Sequence, residues 1–207
     1  QNGVDAQDRI AAVIGADKVM GGLAFVSGVI ESPGVIRYQS EMSALRFGEA
    51  DGSMSPRGLA FAKAAEEAGF KAELMPDIRA AQWQKFVGLA TNAAMCCLVR
   101  KPVGVIYHDP DLVEVAKQAF AEVVAVAKAQ NIPMPDGIAE GELRRHLNFP
   151  PGMYASMFYD LDRGRPIEVE SFSGLISRLG RQLGVPTPVH SIAYACLKPH
   201  AQGRPAS

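Results

Sequence analysis

Residues 153–190 read MYASMFYDLDRGRPIEVESFSGLISRLGRQLGVPTPVH, and their punctuation decides the fold. Ser156 and Asp160 stand four residues apart, so a helix puts them on one face. Arg163-Gly164-Arg165-Pro166 ends that helix, because proline brings no N–H and glycine lets the backbone turn. Glu168 is expected to open a second helix, with Glu168 and Glu170 at its positive end. Leu175, Leu179 and Leu183 follow at helical spacing. Gly184 stops the helix, and Pro186 and Pro188 prevent its continuation. On local physics alone the stretch is two helices joined by a turn, the second one capped.

Working outward, the same punctuation recurs. Gly137 to Leu147 reads as a short helix, set off by Phe149-Pro150-Pro151-Gly152. Asp109-Pro110-Asp111 caps a helix reaching about Gln130. Pro76-Asp77 starts the longest apolar-periodic helix, through Ile78, Ala81, Phe86, Leu89, Ala93 and Leu98. Pro56 suits the first turn of another helix, which ends at Gly69. Phe70 to Met75 is read as a short extended link. Before Gly52 the pattern changes. Asp5 to Gly15 is an amphipathic helix, and the nearly continuous apolar run Lys18–Val26 is a buried strand. Ser32-Pro33-Gly34 turns between two β-rich halves, and Ala44–Gly48 is a further short strand. Ser191–Leu197 is a last helix, and Gln202–Ser207 reads as a frayed tail. The expectation is mixed α/β over residues 1–52, a helical domain over 53–207, and a domain edge near Gly52-Ser53.

The bulk numbers narrow the function. The chain has 207 residues, 48% of them hydrophobic and 21% charged, enough for a real core. A net charge of −1 without long Lys/Arg runs argues against a nucleic-acid surface. No apolar run reaches the length of a membrane span, and QNGVDAQDR is not a secretory signal. Cys96, Cys97 and Cys196 are too few and too unevenly placed for a disulfide framework, which points to a reducing cytoplasm. No His/Cys cluster has ligand spacing, so no metal site is expected. The four histidines share no spacing, and none is given a catalytic role.

Ser156-Met157, Asp160, Gly164-Arg165-Pro166, Glu168, Gly174, Gly180 and Gly184-Val185-Pro186 together resemble the C-terminal signature of the ketopantoate reductase family. The resemblance covers essentially the whole chain, as the C-terminal two-thirds of a family member. It implies an α+β fragment: the end of a Rossmann-type dinucleotide-binding domain over residues 1–52, then an all-α C-terminal domain resembling those of 6-phosphogluconate dehydrogenase-like proteins. The family's glycine-rich phosphate loop is expected before Gln1. The implied activity is NADPH-dependent reduction of a 2-keto acid, 2-dehydropantoate or a similar one, to the 2-hydroxy acid, as in pantothenate biosynthesis. The implied cofactor is NADP and the implied partner a small 2-keto acid. A cytoplasmic location is expected, and a homodimer is compatible with the resemblance.

The resemblance also gives roles to four residues with plainer readings of their own. Lys85, in Trp83-Gln84-Lys85, is by itself a lysine snorkelling from an apolar helix. It stands where the family keeps its catalytic lysine, which can donate a proton to a carbonyl oxygen as charge develops there. Glu168 is by itself a helix-start carboxylate. In the family the matching glutamate faces the substrate hydroxyl and the lysine at the cofactor site. Ser156 is a surface hydroxyl whose family counterpart binds the substrate carboxylate. Asn2, in Gln1-Asn2-Gly3, is a turn residue whose counterpart lies between nicotinamide and substrate. The chain departs from the pattern too. Leu89 and Ala93 stand four and eight residues after Lys85, and Met153 three before Ser156, where ketopantoate-specific members carry asparagine. Two other readings therefore stand beside the first: a related small-substrate reductase or β-hydroxyacid dehydrogenase, and a non-catalytic helical interaction module.

Overall fold

The computed structural model describes residues 2–26, 28–38 and 43–204. They form two compact units, Gln1–Gln82 and Trp83–Ser207.

The first unit holds the strands. Helix α1 (Ala6–Ile14) ends at Gly15, whose φ of 94° suits glycine and whose N–H returns to the Ala11 carbonyl. Strand β1 (Gly21–Phe25) pairs antiparallel with β4 (Ala44–Gly48). Strands β2 (Gly28–Ser32) and β3 (Val35–Tyr38) form a separate hairpin across Pro33-Gly34, as the turn signal requires. Helix α2 (Pro56–Glu67) has proline in its first turn, and the Ser55 Oγ accepts the Gly58 N–H at 3.1 Å. The Glu49 carboxylate ties this helix start to the end of β4. It accepts from Ser55 Oγ at 2.5 Å and from Arg57 Nε and Nη2 at 2.7 and 2.6 Å. Those bonds hold its carboxyl down at about 2, Arg57 contributing most.

The extended link is a strand. Residues Lys71–Leu74 form β5, which pairs with β4 in parallel, Phe47 opposite Leu74. A parallel neighbour needs a crossover, and α2 provides it by packing on β5. This pairing ties residues 53–74 to the strands, so the edge expected at Gly52 lies inside the first unit, and strands are not confined to the first 52 residues. Phe47, Phe61 and Phe70 pack edge to face along the crossover, at 4.9 and 6.5 Å.

The second unit is helical around α3 (Ile78–Val99) from Trp83 onward. Val87, Ala90, Thr91, Ala93, Met95 and Cys96 are at most 1% exposed and lie on every side of the helix, so α3 is enclosed rather than laid on a surface. Helices α4 (Val103–Ile106), α5 (Pro110–Ala129), α6 (Ile138–Leu147), α7 (Ser156–Asp162), α8 (Ser173–Leu183) and α9 (Pro188–Leu197) complete the unit. Asp109 caps α5 through its Oδ1, which accepts the Asp111 and Leu112 N–H groups at 3.0 Å. Helix α5 packs on α6, α8 and α9, and α8 on α9. None of the described helices is long and apolar enough to cross a membrane.

Three local expectations change. Glu168 does not open the second helix: Glu168–Glu170 is a separate 3-10 turn, and α8 begins at Ser173. The break is at Phe172, whose ψ of −104° is not helical and whose ring is 1% exposed in the core. Helix α9 starts at Pro188 rather than Ser191, with proline at the position where its missing N–H costs nothing. Residues 202–204 do not fray either. The Arg204 N–H donates to the Gly164 carbonyl at 2.8 Å, and Ile167 donates to Ala201 at 3.1 Å. Gly164 has φ +67°, and a Cβ there would meet the Arg204 side chain at 2.8 Å. The end of the described chain is thus a clasp on the Arg163–Pro166 turn. Residues 205–207 of the expected tail lie outside the described residues.

Two histidines are part of this core. His190 is fully buried. Its Nε2–H donates to the Ala119 carbonyl at 3.3 Å, and its Nδ1 accepts from Ser173 Oγ at 3.2 Å, a neutral tautomer. The Val189 and His190 N–H groups donate to the buried Glu122 carboxyl at 2.8 and 2.9 Å, so a residue of α5 caps α9. His146 packs among Tyr107, Phe120 and Phe149. Burial pushes both imidazoles down to about 4. An unfolded chain takes up these protons near pH 6.5, the folded chain only near 4. Each histidine's contribution is therefore complete above about pH 6.5 and lost as pH falls to about 4, amounting to about 2–4 kcal/mol. Imidazole ¹H–¹⁵N spectra should show both residues neutral at pH 5.5. Titration of either between pH 6 and 7 would contradict this.

Candidate active site

Lys85 sits on the second turn of α3, half-buried, between the buried rings of Trp83 and Phe86 in sequence. Its ammonium is pulled below the usual lysine range, first by lost solvation and then by the charge of Arg145. Glu168 is in the 3-10 turn after the Arg163–Pro166 turn. The residue is exposed, yet its carboxyl is raised, first by loss of solvation and then by Asp160. Ser156 is the first residue of α7, exposed, with Asp160 on the same face one turn later. The Asp160 carbonyl accepts the Arg165 N–H at 2.8 Å as the chain reverses toward Glu168. Ser156, Asp160 and Glu168 thus come from one continuous helix–turn–turn segment.

A core contact joins this segment to the lysine helix. Phe86 and Phe172, each 1% exposed, meet edge to face at 5.7 Å. Phe86 follows Lys85 directly, and the Phe172 N–H donates to the Glu168 carbonyl at 3.1 Å. Lys85 and Glu168 belong to the same helical unit. Asn2 belongs to the first unit, where it is exposed just ahead of α1. The neighbouring Gly3 lines a cavity of about 200 Å³ with Gln7, Ile10, Met20, Gly22 and Gln82.

The asparagine departures have structural counterparts. Leu89 and Met153 are half-buried, and Ala93 is 1% exposed. Asn92, one residue off the pattern, does not stand in for them. Its Oδ1 faces the core, where it accepts from Tyr107 Oη and Cys96 Sγ, both at 3.4 Å.

The residue that sequence reading passed over is Arg145 of α6. It pairs with Glu142 through Nε at 3.0 Å and Nη2 at 2.5 Å. The pair lies against α3 at Gly88, where a Cβ would fall 2.5 Å from the Arg145 Nη2 and closer still to the Glu142 Oε2. The signal was Gly88 itself, a glycine inside a long helix, which usually marks a close approach.

Comparison with known proteins sets the class. A family model described as "Ketopantoate reductase PanE/ApbA C terminal" matches residues 77–201. The chain belongs to the ketopantoate reductase family. Its helical unit is the family's all-α C-terminal domain, and the strands before it are the end of a Rossmann-type domain. A solved 2-dehydropantoate 2-reductase from Methylococcus capsulatus is 31% identical, with a TM-score of 0.85 over 95% of this chain and 63% of that one. The 2-dehydropantoate 2-reductase of Mesorhizobium japonicum is 27% identical over 95% of this chain and 60% of its own length. The uncharacterised oxidoreductase YkpB of Bacillus subtilis is 26% identical over 95% and 65%. The chain thus spans 60–65% of the lengths of these three proteins.

Proposed function

We propose that the protein carrying this chain is an NADP-dependent reductase of a 2-keto acid of the 2-dehydropantoate type, with Lys85 as proton donor and Glu168 and Ser156 as substrate-binding groups. The observation that carries the reading is the Phe86–Phe172 contact, which draws the Lys85 and Glu168 segments onto one core. The charge environment supports it. The Lys85 ammonium is lowered and the Glu168 carboxyl raised, so both move toward neutral pH, where proton transfer is most effective. Ser156 adds a neutral donor suited to a carboxylate.

The residues present fit a nicotinamide in part. The Asn2 amide, next to a cavity lined by glycines and the Gln7 and Gln82 amides, has the donors and acceptors to hold a carboxamide. When bound, the reduced nicotinamide supplies the hydride. Lys85 then neutralises the alkoxide by giving up its proton, and Glu168 holds the lysine or the new hydroxyl. Residues 1–82 serve as the end of the dinucleotide domain in this reading. A cytoplasmic location and a homodimer go with it.

A second reading, a related reductase with a different small substrate, is favoured by Leu89, Ala93 and Met153. The Asn92 Oδ1 is engaged by Tyr107 and Cys96, and Leu89 and Ala93 put apolar groups on α3 where a hydroxylated substrate would need partners. A buried substrate hydroxyl without its partner costs about 1–3 kcal/mol. A panel of 2-keto acids, assayed on the full-length protein with NADPH and NADH, tests both. Turnover of 2-dehydropantoate with NADPH supports the first reading. Preference for an unbranched apolar keto acid supports the second, and no turnover of any keto acid would sink both.

A further inference from the structure

The Glu142–Arg145 pair is not used by the mechanism above, and its position calls for a role. Gly88 and Lys85 are three residues apart on α3, so they share a face with about 5–6 Å between neighbouring Cβ positions. A helical residue covers the surface just N-terminal to its own Cα, and the spot over Gly88 therefore lies toward Lys85. The Glu142–Arg145 pair occupies that spot, the carboxylate nearest the glycine, and the guanidinium is held there on three sides. Glu142, whose side chain is only 13% exposed, takes two of its nitrogens. The Phe149 ring lies 5.5 Å beneath the guanidinium. Gly88 offers no Cβ to keep it away. Bringing a guanidinium of α6 over the face of α3 that carries an ammonium is costly unless one acts on the other or on a common anion.

We propose that Arg145 is a positioning residue for the reaction: seated on Gly88 beside Lys85, it sets the ease with which Lys85 releases its proton, and Glu142 moderates it. The proposal rests on the reading of Lys85 as proton donor. Arg145 touches no reacting atom; it acts through its field on Lys85, which agrees with the lowering of the lysine described above. Helix α6 carries Glu140, Glu142, Arg144, Arg145 and the neutral His146, of which Glu142 and Arg145 lie over Gly88, while α4, packed on α6, carries no charged side chain. Helix α5 commits Glu122 to the start of α9. Glu168 and Asp160 act on each other across the turn after α7.

The test is the pH dependence of kcat/KM in the full-length protein with a keto acid it reduces and NADPH. A reaction that needs protonated Lys85 loses rate above the lysine's pKa. Arg145→Met should move that basic limb up by roughly 0.5–1 pH unit, the scale of one charge at about 6 Å in a partly solvated site. Arg145→Lys keeps the charge and should keep the limb. Glu142→Gln removes the moderating anion and should move the limb down. Opposite shifts in the two variants are something a purely structural role would not produce. Equal shifts, or a limb unmoved in Arg145→Met, would overturn the proposal. Lys85→Ala separates the two levels: if that variant keeps wild-type turnover and the same basic limb, the reading of Lys85 itself is wrong, whatever Arg145 does.

Discussion

Lys85→Ala is expected to lower kcat of the full-length protein by roughly two to four orders of magnitude, the scale of a lost general acid. A 2-keto acid that receives hydride builds negative charge on its carbonyl oxygen, and something must neutralise it. The two buried histidines cannot: His146 and His190 are neutral, held down near 4, and their ring nitrogens are engaged with Glu142, Ala119 and Ser173. Lys85 is half-buried, with a lowered pKa that makes it a readier donor. Its loss should harm the transition state far more than cofactor binding, so the NADPH Kd should stay within about a few-fold of wild type, since in the proposed mechanism the lysine serves the reacting oxygen. Glu168→Ala should act on the same step, and the double variant should lose less than the sum of the two. Steady-state kinetics with a fluorescence titration of NADPH checks all three. Wild-type turnover in Lys85→Ala would end the mechanism.

Phe172→Ala should be a severely damaging core change in the helical unit, at about 3–5 kcal/mol. Phe172 is 1% exposed, stands at the non-helical break between the Glu168 turn and α8, and packs its ring on Phe86. Truncation leaves a cavity and frees the break, so the Glu168 turn loses its anchor. The melting temperature should fall by roughly 10 °C or more. Phe70→Ala, at a ring 43% exposed, should cost about 1 kcal/mol and serves as the comparison. Phe172→Leu should restore part of the stability, because it refills most of the volume. Chemical denaturation of the three variants decides it; equal losses for Phe172→Ala and Phe70→Ala would show that the contact is not the anchor described.

Local signals made much of this fold legible. Asp109, Pro56 and Gly184 each mark a helix end where the structure has one, because capping is settled within a few residues. Strand β5 was harder to read. Lys71-Ala72-Glu73-Leu74 has little β character of its own, and its pairing depends on β4, many residues earlier. Glu168 and Glu170 looked like the first turn of a helix because acids favour such positions. The core instead claims the Phe172 ring and breaks the helix there. At the site, the resemblance supplied Lys85, Glu168, Ser156 and Asn2. Arg145 escaped notice because nothing near it in sequence marks it; only the folded chain brings it onto Gly88.

The clasp of Ala201–Arg204 on the Arg163–Pro166 turn has a consequence for the timing of synthesis. The turn that delivers Glu168 leaves the ribosome well before the residues that fasten it. Chains grow at about 5–20 residues per second, so for some seconds the turn exists without its clasp. During that interval Gly164 can adopt many conformations, and the Glu168 segment is free to bind chaperones or be cut by proteases. Rare codons placed between Gly164 and Arg204 would lengthen that exposure, whereas the same codons before Ser55 would not. The vulnerable period of this domain is therefore set by the translation rate over its last helices.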